Sequence, residues 1–473
     1  MARRLQGGSI TSGNLFSAII RFAIPLFIST LVQSLFTAAD TFIIGQFTAG
    51  DGNAVAAIGA ANPVISLLIN SFVAFAAGAS IIIAKAIGAN DKMAVKKSVD
   101  TSLIFAAVLG VALTAVAMPL AVPVLNSMNC PEACFDGAVL YMQIYMLGTP
   151  AMMIYNFAAA IIRAEGDSRR PLLYVILSGI VNVVTNILLC IVLTDKVAAV
   201  AIATVLSQCV AAVLTMARLM KKKEGLCRFS CKKLSFDGKM LGQILRYGIP
   251  LAAATAIYPI ANLQIQPAIN SYGAANLAGS TAAINVESVI SALQTAFGSA
   301  GVTFMSQNIG AHNRKRVEQS FAVCGGCAVL SGLVLGMGAA FLFPEELLGL
   351  FLPGNAEAIF YGKNRLFYVA GFYWLAAMNN SLGAAVQAFG YPTMSTLNNL
   401  VSVLGFRTIW MNFVYNKAPT IDRLNMCYTI SWGITCIIYI GLFVYALHKY
   451  RKQEAAWLQN NQKELLSEMQ SGS

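Results

Sequence analysis

The sequence predicts an all-α polytopic membrane protein: twelve transmembrane helices in two six-helix lobes, related by a pseudo-two-fold axis along the membrane normal. Composition is the first reason. Hydrophobic residues make up 57% of the 473-residue chain and charged residues only 11%, with a mean hydropathy of +0.68, outside the range of soluble globular domains. The second reason is a series of apolar runs at approximately 18–45, 54–84, 98–124, 137–163, 171–193, 197–219, 242–269, 276–305, 320–343, 359–388, 393–415 and 425–447. Each can cross a hydrocarbon core of ~30 Å at ~1.5 Å per residue. The third is internal repetition. Phe22-Ala-Ile-Pro25-Leu returns as Tyr247-Gly-Ile-Pro250-Leu, an offset of 250 − 25 = 225. Lys85-Ala-Ile-Gly88-Ala returns as Gln307-Asn-Ile-Gly310-Ala (310 − 88 = 222), and Arg163-Ala-Glu-Gly166 as Gln387-Ala-Phe-Gly390 (390 − 166 = 224). Three anchors in one order at nearly one offset imply two homologous halves of six spans, and such parallel repeats place substrate between the halves. The expected domains are 1–219 and 242–449 for the lobes, 220–241 for a basic connector and 450–473 for a tail.

Taken in order, the chain starts with a polar arm carrying Arg3 and Arg4, and no cleavable signal peptide is visible because the first apolar run is too long. That first run carries a carboxylate, Asp40, deep in its second half. A charge there costs at least ~2.5–3.5 kcal/mol on insertion scales. Gln33, Thr37 and Asp40 fall at i, i+4 and i+7, so they share one helix face, which must meet protein or water. Asp40 is either a packing carboxylate or a proton- or cation-responsive site; the cost of burial favours the second. Asn62, Ser66 and Asn70 recur every four residues in the second run, and Ser178, Asn182 and Asn186 do so in the fifth. Such amides can hydrogen-bond Asp40 in either protonation state, or simply glue helices together.

In the second half the deep charges change. Glu287 lies in the eighth run with Ser291 and Gln294 on its face, and Arg407 lies in the eleventh. Subtracting the repeat offset maps them onto Asn62 (287 − 225) and Asn182 (407 − 225), so they are expected to form a buried ion pair. Tyr373 and Met378 in the tenth run, and Tyr141 in the fourth, suit stacking on flat hydrophobic cations or, alternatively, helix packing and interfacial belts. The candidate coupling residues are therefore Asp40, Gln33, Thr37, Asn182 and Asn186. The candidate substrate-cavity residues are Asn62, Asn70, Tyr141, Glu287, Gln294, Tyr373, Met378 and Arg407.

The net charge of +12 does not point to nucleic acid, because Lys and Arg gather at the ends of apolar runs. One set of ends holds Arg21, Lys85, Lys96, Arg163, Arg170, Lys221–Lys223 and Arg314–Arg316; the opposite set holds only Lys196, Lys363, Arg365, Lys417 and Arg423. The positive-inside rule places the first set, and both termini, in the cytoplasm. The two histidines, His312 and His448, cannot build a zinc hydrolase site, Cys324-Gly-Gly-Cys327 lies in an apolar run, and no Gly-rich loop precedes Lys-Ser/Thr. No enzyme and no metal or organic cofactor is expected, only a proton or Na+ as coupling ion.

Pro25, Gln33 and Ala-Asp40-Thr with Gly45, then Arg163-Ala-Glu-Gly166-Asp-Ser-Arg-Arg-Pro171, Ser306-Gln-Asn-Ile-Gly310-Ala and Gly405-Phe-Arg407-Thr-Ile-Trp410, resemble the multidrug and toxic compound extrusion (MATE) family over roughly residues 15–450. The resemblance implies two lobes in a V and antiport of proton or sodium against hydrophobic or cationic drugs, with Asp40 matching the first-span carboxylate tied to coupling. The acids that the NorM branch carries in spans seven and ten are replaced by Tyr258-Pro-Ile-Ala-Asn262 and Met378-Asn379-Asn380. The chain is thus more DinF-like, with proton coupling through Asp40. A monomeric multidrug exporter in the plasma membrane of a prokaryote is expected. A lipid-linked oligosaccharide or lipid flippase of the same superfamily is the alternative.

Overall fold

The computed structural model describes residues 8–48, 53–128, 130–221, 226–230 and 234–471. All twelve apolar runs fall on helices, and the described residues contain no strand. We number the spans in order. Span 1 is Leu15–Phe47, span 2 Asn53–Gly88, span 3 Lys92–Ser127, span 4 Glu132–Leu147 with Thr149–Ala164, span 5 Arg169–Val192 and span 6 Lys196–Lys221. Span 7 is Gly238–Ser271, span 8 Gly273–Gly310, span 9 Arg314–Met337, span 10 Ala356–Tyr368 with Tyr373–Ala388, span 11 Pro392–Asn399 with Phe406–Trp410, and span 12 opens the helix Ile421–Ser471. Among the described residues eight helices are long and apolar enough to cross a membrane, or nine with the two parts of span 4 taken as one. Spans 8, 10 and 11 complete the twelve; two of them are broken.

The chain forms two compact units: Ile20–Ile87 with Asp91–Ala256, and Gly8–Ile19 with Gly88–Asn90 and Ile257–Ser473. In unit 1, one core gathers Val95, Val99, Met153, Phe157 and Ile161, and another Ile44, Ala61, Leu125, Met142, Met146 and Cys190. Span 4 bends by 48° at Gly148. Pro150 has no N–H to give to Met146 O, its i−4 carbonyl. The hydroxyls of Thr114 and Thr149 both donate to that oxygen at 2.7 Å. Gly110 lets span 3 come this close: a Cβ there would lie 2.5 Å from Pro150 Cα. The end of the connector is tied to span 3, where Ser235 N donates to Asp100, Asp237 N donates to Thr101, and Lys97 pairs with Asp237 at 3.0 Å.

In unit 2 the core is built from Ile265, Ala283, Leu348, Leu366, Ala370 and Cys427. Span 11 is irregular: π-helical segments Leu400–Gly405 and Met411–Tyr415 bracket the single α-turn Phe406–Trp410. Arg316 holds the short helix Gly8–Thr11, donating to the carbonyls of Ile10, Ser12 and Gly13. The helix of span 12 runs unbroken to Ser471. His312 fastens its far part: the imidazole stacks on Trp457 with centroids 3.7 Å apart and pairs with Glu454 at 3.1 Å, while Arg451 pairs with Glu318 at 2.7 Å.

Candidate functional site

In unit 1, span 1 and span 5 meet around Asp40. Gly179 admits the Phe36 ring: a Cβ on Gly179 would lie 1.7 Å from Phe36 Cε2. One turn beyond Phe36 on span 1, and two turns beyond Gly179 on span 5, Asn186 Nδ2 donates to Asp40 Oδ1 at 2.5 Å. Asp40 is half-buried, whereas Asn182 and Asn186 are buried. The amide oxygens of both Asn182 and Asn186 have no partner among the described residues. The predicted stripe on span 1 is present but mostly open: Gln33 and Thr37 are exposed, and Thr37 Oγ1 donates to its own helix at Gln33 O. Asn62 is half-buried and Asn70 exposed; neither bonds Asp40. Tyr141 is buried with its ring 5.9 Å from that of Tyr145, whose hydroxyl accepts from Gln208 at 3.2 Å.

The polar centre of unit 2 corrects one expectation. Glu287 pairs with Arg365, through Nε–Oε1 and Nη2–Oε2 bonds of 3.0 Å each, and both side chains are nearly sealed. It does not pair with Arg407. Arg407 instead donates Nη1 to Asn262 Oδ1 at 2.8 Å and Nε to Ser431 Oγ at 3.4 Å. The two guanidinium groups share one aromatic ring, lying 5.0 Å (Arg365) and 4.5 Å (Arg407) from the centroid of Tyr428. The physical reason for the exchange is placement: the Arg365 fork reaches both oxygens of the carboxylate, whereas the same fork on Arg407 is turned to Asn262 and Ser431. Hydropathy alone makes Arg365 an end-of-span charge. Its helix face says otherwise, because Ala358, Gly362, Arg365 and Leu366 are the buried residues of Ala356–Tyr368, at i, i+4, i+7 and i+8.

The remaining candidates are packed. Gln294 is buried and donates Nε2 to Tyr373 O at 3.1 Å; the Tyr373 ring meets Trp432 edge-on at 5.3 Å. Met378 packs with Leu382, Cys436 and Tyr439. Two clefts in unit 2, of about 10 and 180 Å3, are lined by groups that include Phe297 and Cys324, and Phe443 and Arg451; none of the candidates lines either.

Comparison with known proteins follows the same division. The family model described as MatE matches twice, over residues 25–188 and 250–412. The two matches start 250 − 25 = 225 residues apart, the offset read from the proline anchors. Among curated relatives, the chain is 24% identical over 436 residues to "Probable multidrug resistance protein YoeA" of Bacillus subtilis, covering 90% of this chain and 93% of that one. It is 25% identical over 339 residues to a protein named "FAD transporter" from Shewanella oneidensis, covering 70% and 74%. Among solved structures, one described as MATE in the bent conformation superposes with a TM-score of 0.86 at 22% identity, over 96% of this chain and 100% of that chain.

Proposed function

The chain belongs to the MatE family, and on that premise we propose that it exports hydrophobic organic cations across the plasma membrane of a prokaryote by alternating access, taking up a proton in exchange. The observation that carries this reading is the Asp40–Asn186 bond inside an apolar span. An ionised carboxylate only accepts, and Asn186 Nδ2 serves it; a protonated one also donates and needs an acceptor. The unpartnered amide oxygens of Asn182 and Asn186 are buried acceptors of that kind on the same helix. The surroundings of Asp40 therefore suit both protonation states. Exchange also needs substrate affinity to differ between them, since a ligand that binds both equally shifts nothing. A cation stabilised by the carboxylate and released on protonation meets that condition. The protein works as a monomer in the bilayer, with both termini cytoplasmic and no cofactor beyond the coupling ion.

Ethidium efflux from cells expressing wild type or Asp40→Asn at equal membrane abundance tests the reading. Asp40→Asn should abolish gradient-driven efflux and Asp40→Glu should keep part of it; equal rates would reduce Asp40 to a packing residue. Proteoliposomes under separately imposed proton and sodium gradients identify the ion. Because one relative is named an FAD transporter, flavin nucleotides belong in the substrate panel.

A further inference from the structure

The larger cleft of unit 2, about 180 Å3, opens where spans 8, 9, 10 and 12 converge at their Lys- and Arg-rich ends. Its wall is apolar, made by Met305, Val317, Phe321, Phe389, Phe443 and Leu447, with the Phe321 and Phe443 rings stacked at 4.4 Å. Its lip is charged: Glu318 and Arg451 line it, and Arg314 reaches the same carboxylate. The change from wall to lip falls at the edge of the hydrocarbon core. Phe321, Phe443 and Leu447 lie inside the apolar runs 320–343 and 425–447, whereas Arg314, Glu318 and Arg451 lie just outside them. The lip is also unbalanced, with two cations to one anion. Arg451 Nε, Arg451 Nη2 and Arg314 Nε all donate to one oxygen, Glu318 Oε1, at 2.9, 2.7 and 3.2 Å. Nη1 of Arg451 and both terminal nitrogens of Arg314 have no partner among the described residues. Beside Arg451, Tyr450 is 7% exposed with its ring 5.3 Å from that of Phe389, and its hydroxyl has no partner there either.

We infer that this cleft holds an anionic phospholipid of the cytoplasmic leaflet, with one acyl chain against the apolar wall and the phosphate on Arg451 and Arg314. The lipid is a bound ligand of unit 2 and not cargo, so the inference takes from the transport reading only the orientation of the chain. Size, polarity and charge select this occupant together. An apolar cavity of ~150 Å3 accepts benzene, so the cleft has room for a stretch of several chain carbons. A free phosphate would use the arginines and leave the apolar wall wet. A lipid without net charge would cover the wall and leave the surplus charge of the lip. An anionic lipid meets both, and basic pockets between spans on the cytoplasmic side are where anionic headgroups bind. Its phosphate oxygens accept charge-assisted bonds from the open guanidinium nitrogens. Glu318 is then a competitor, because its carboxylate neutralises part of the charge that the phosphate meets.

The test titrates dioleoylphosphatidylglycerol against the full-length protein in dodecylmaltoside and follows the thermal midpoint, with native mass spectrometry counting the lipid retained. Dioleoylphosphatidylcholine supplies the same chains without net charge, and glycerol phosphate the headgroup anion without chains. Wild type should respond to phosphatidylglycerol at about tenfold lower concentration than to phosphatidylcholine, and should not respond to glycerol phosphate. Arg314→Gln with Arg451→Gln should erase the difference between the lipids. Leu447→Trp, which fills the cleft and leaves the lip intact, should lose the response to phosphatidylglycerol. Glu318→Gln gives a sign that a purely structural ion pair would not: it should lower the midpoint without lipid, yet bind phosphatidylglycerol more tightly. Equal responses to both lipids in wild type, weaker binding by Glu318→Gln, or an unchanged response in Leu447→Trp would overturn the inference. A shift with glycerol phosphate as large as that with phosphatidylglycerol would give the arginines to a soluble phosphate and overturn it as well. None of these readouts involves ethidium export, so a failure of the transport reading leaves them standing.

Discussion

In unit 1 the polar centre is one carboxylate, Asp40, held by one amide on a neighbouring span. In unit 2 it is a buried network of Glu287, Arg365, Tyr428 and Arg407, with the exposed Asn262 at its edge and two cations to one anion. The repeat arithmetic shows that these centres are not copies. Asp40 maps to Ile265 (40 + 225), which is fully buried in an apolar core, while Glu287 and Arg407 map to Asn62 and Asn182. The halves share span order and proline anchors, but their charges arose at unrelated positions. The difference teaches two ways of keeping charge in an apolar span: a lone, half-buried acid on a single amide donor, and a forked ion pair stacked on a ring, whose separation would leave a buried charge unpaired.

The contrast can be broken most severely at the fork. Glu287→Gln or Arg365→Met alone leaves a buried charge unpaired and should cost about 3–5 kcal/mol, whereas the double variant should recover most of that. Thermal unfolding in detergent measures it, and single variants as stable as wild type would remove the network's structural role. A smaller effect is expected at the helix contact beside Asp40. Gly179→Ala forces the Phe36 ring aside and should cost about 1–3 kcal/mol while slowing ethidium efflux; unchanged unfolding and efflux would show that the contact does not position Asp40. Asn186→Ala removes the donor to Asp40 and should cost a similar ~1–3 kcal/mol, with Asn182→Ala, which breaks no bond to Asp40, costing less. The same unfolding assay ranks them, and equal losses would dissolve the distinction between the two amides.

The smallest effect belongs to the connector. Hydrogen bonds from Lys97, then from the backbone of Met240 and Lys239, hold the Asp237 carboxyl below its ordinary range. A depressed carboxyl stabilises above its unfolded pKa and loses that contribution as pH falls through the folded one. Wild type should therefore lose a small increment on acidification below the ordinary carboxylate range that Asp237→Asn lacks. Superimposable stability–pH curves for the two proteins would refute it.

Much of this was legible beforehand, and the failures have identifiable causes. Apolar runs fix spans because a bilayer demands length and hydropathy, and Asp40 stands out because its cost is large. The partnership of Asp40 with Asn186 follows from the Asn spacing on span 5, yet spacing could not tell Asn186 from Asn182, which differ by one helical turn. Arg365 was hidden by its neighbour Lys363, since a hydropathy window averages a buried charge with an exposed one. The π-helical segments around Arg407 carry no local sequence signal; Leu400–Gly405 reads as ordinary apolar helix. The bend at Gly148 is written in Thr149-Pro150, but the threonine on span 3 that satisfies the freed carbonyl is apparent only once the helices are packed.

The helix of span 12 is 51 residues long, about 76 Å at ~1.5 Å per residue, against a hydrocarbon core of ~30 Å. More than half of it therefore lies outside the hydrocarbon core, and this part is clamped to unit 2 at His312 and Glu318. A dye near Gln462 would sweep a wide arc for a small rotation of that unit. The protein thus carries its own pointer, on which conformational change could be read by single-molecule fluorescence without labelling the transport path.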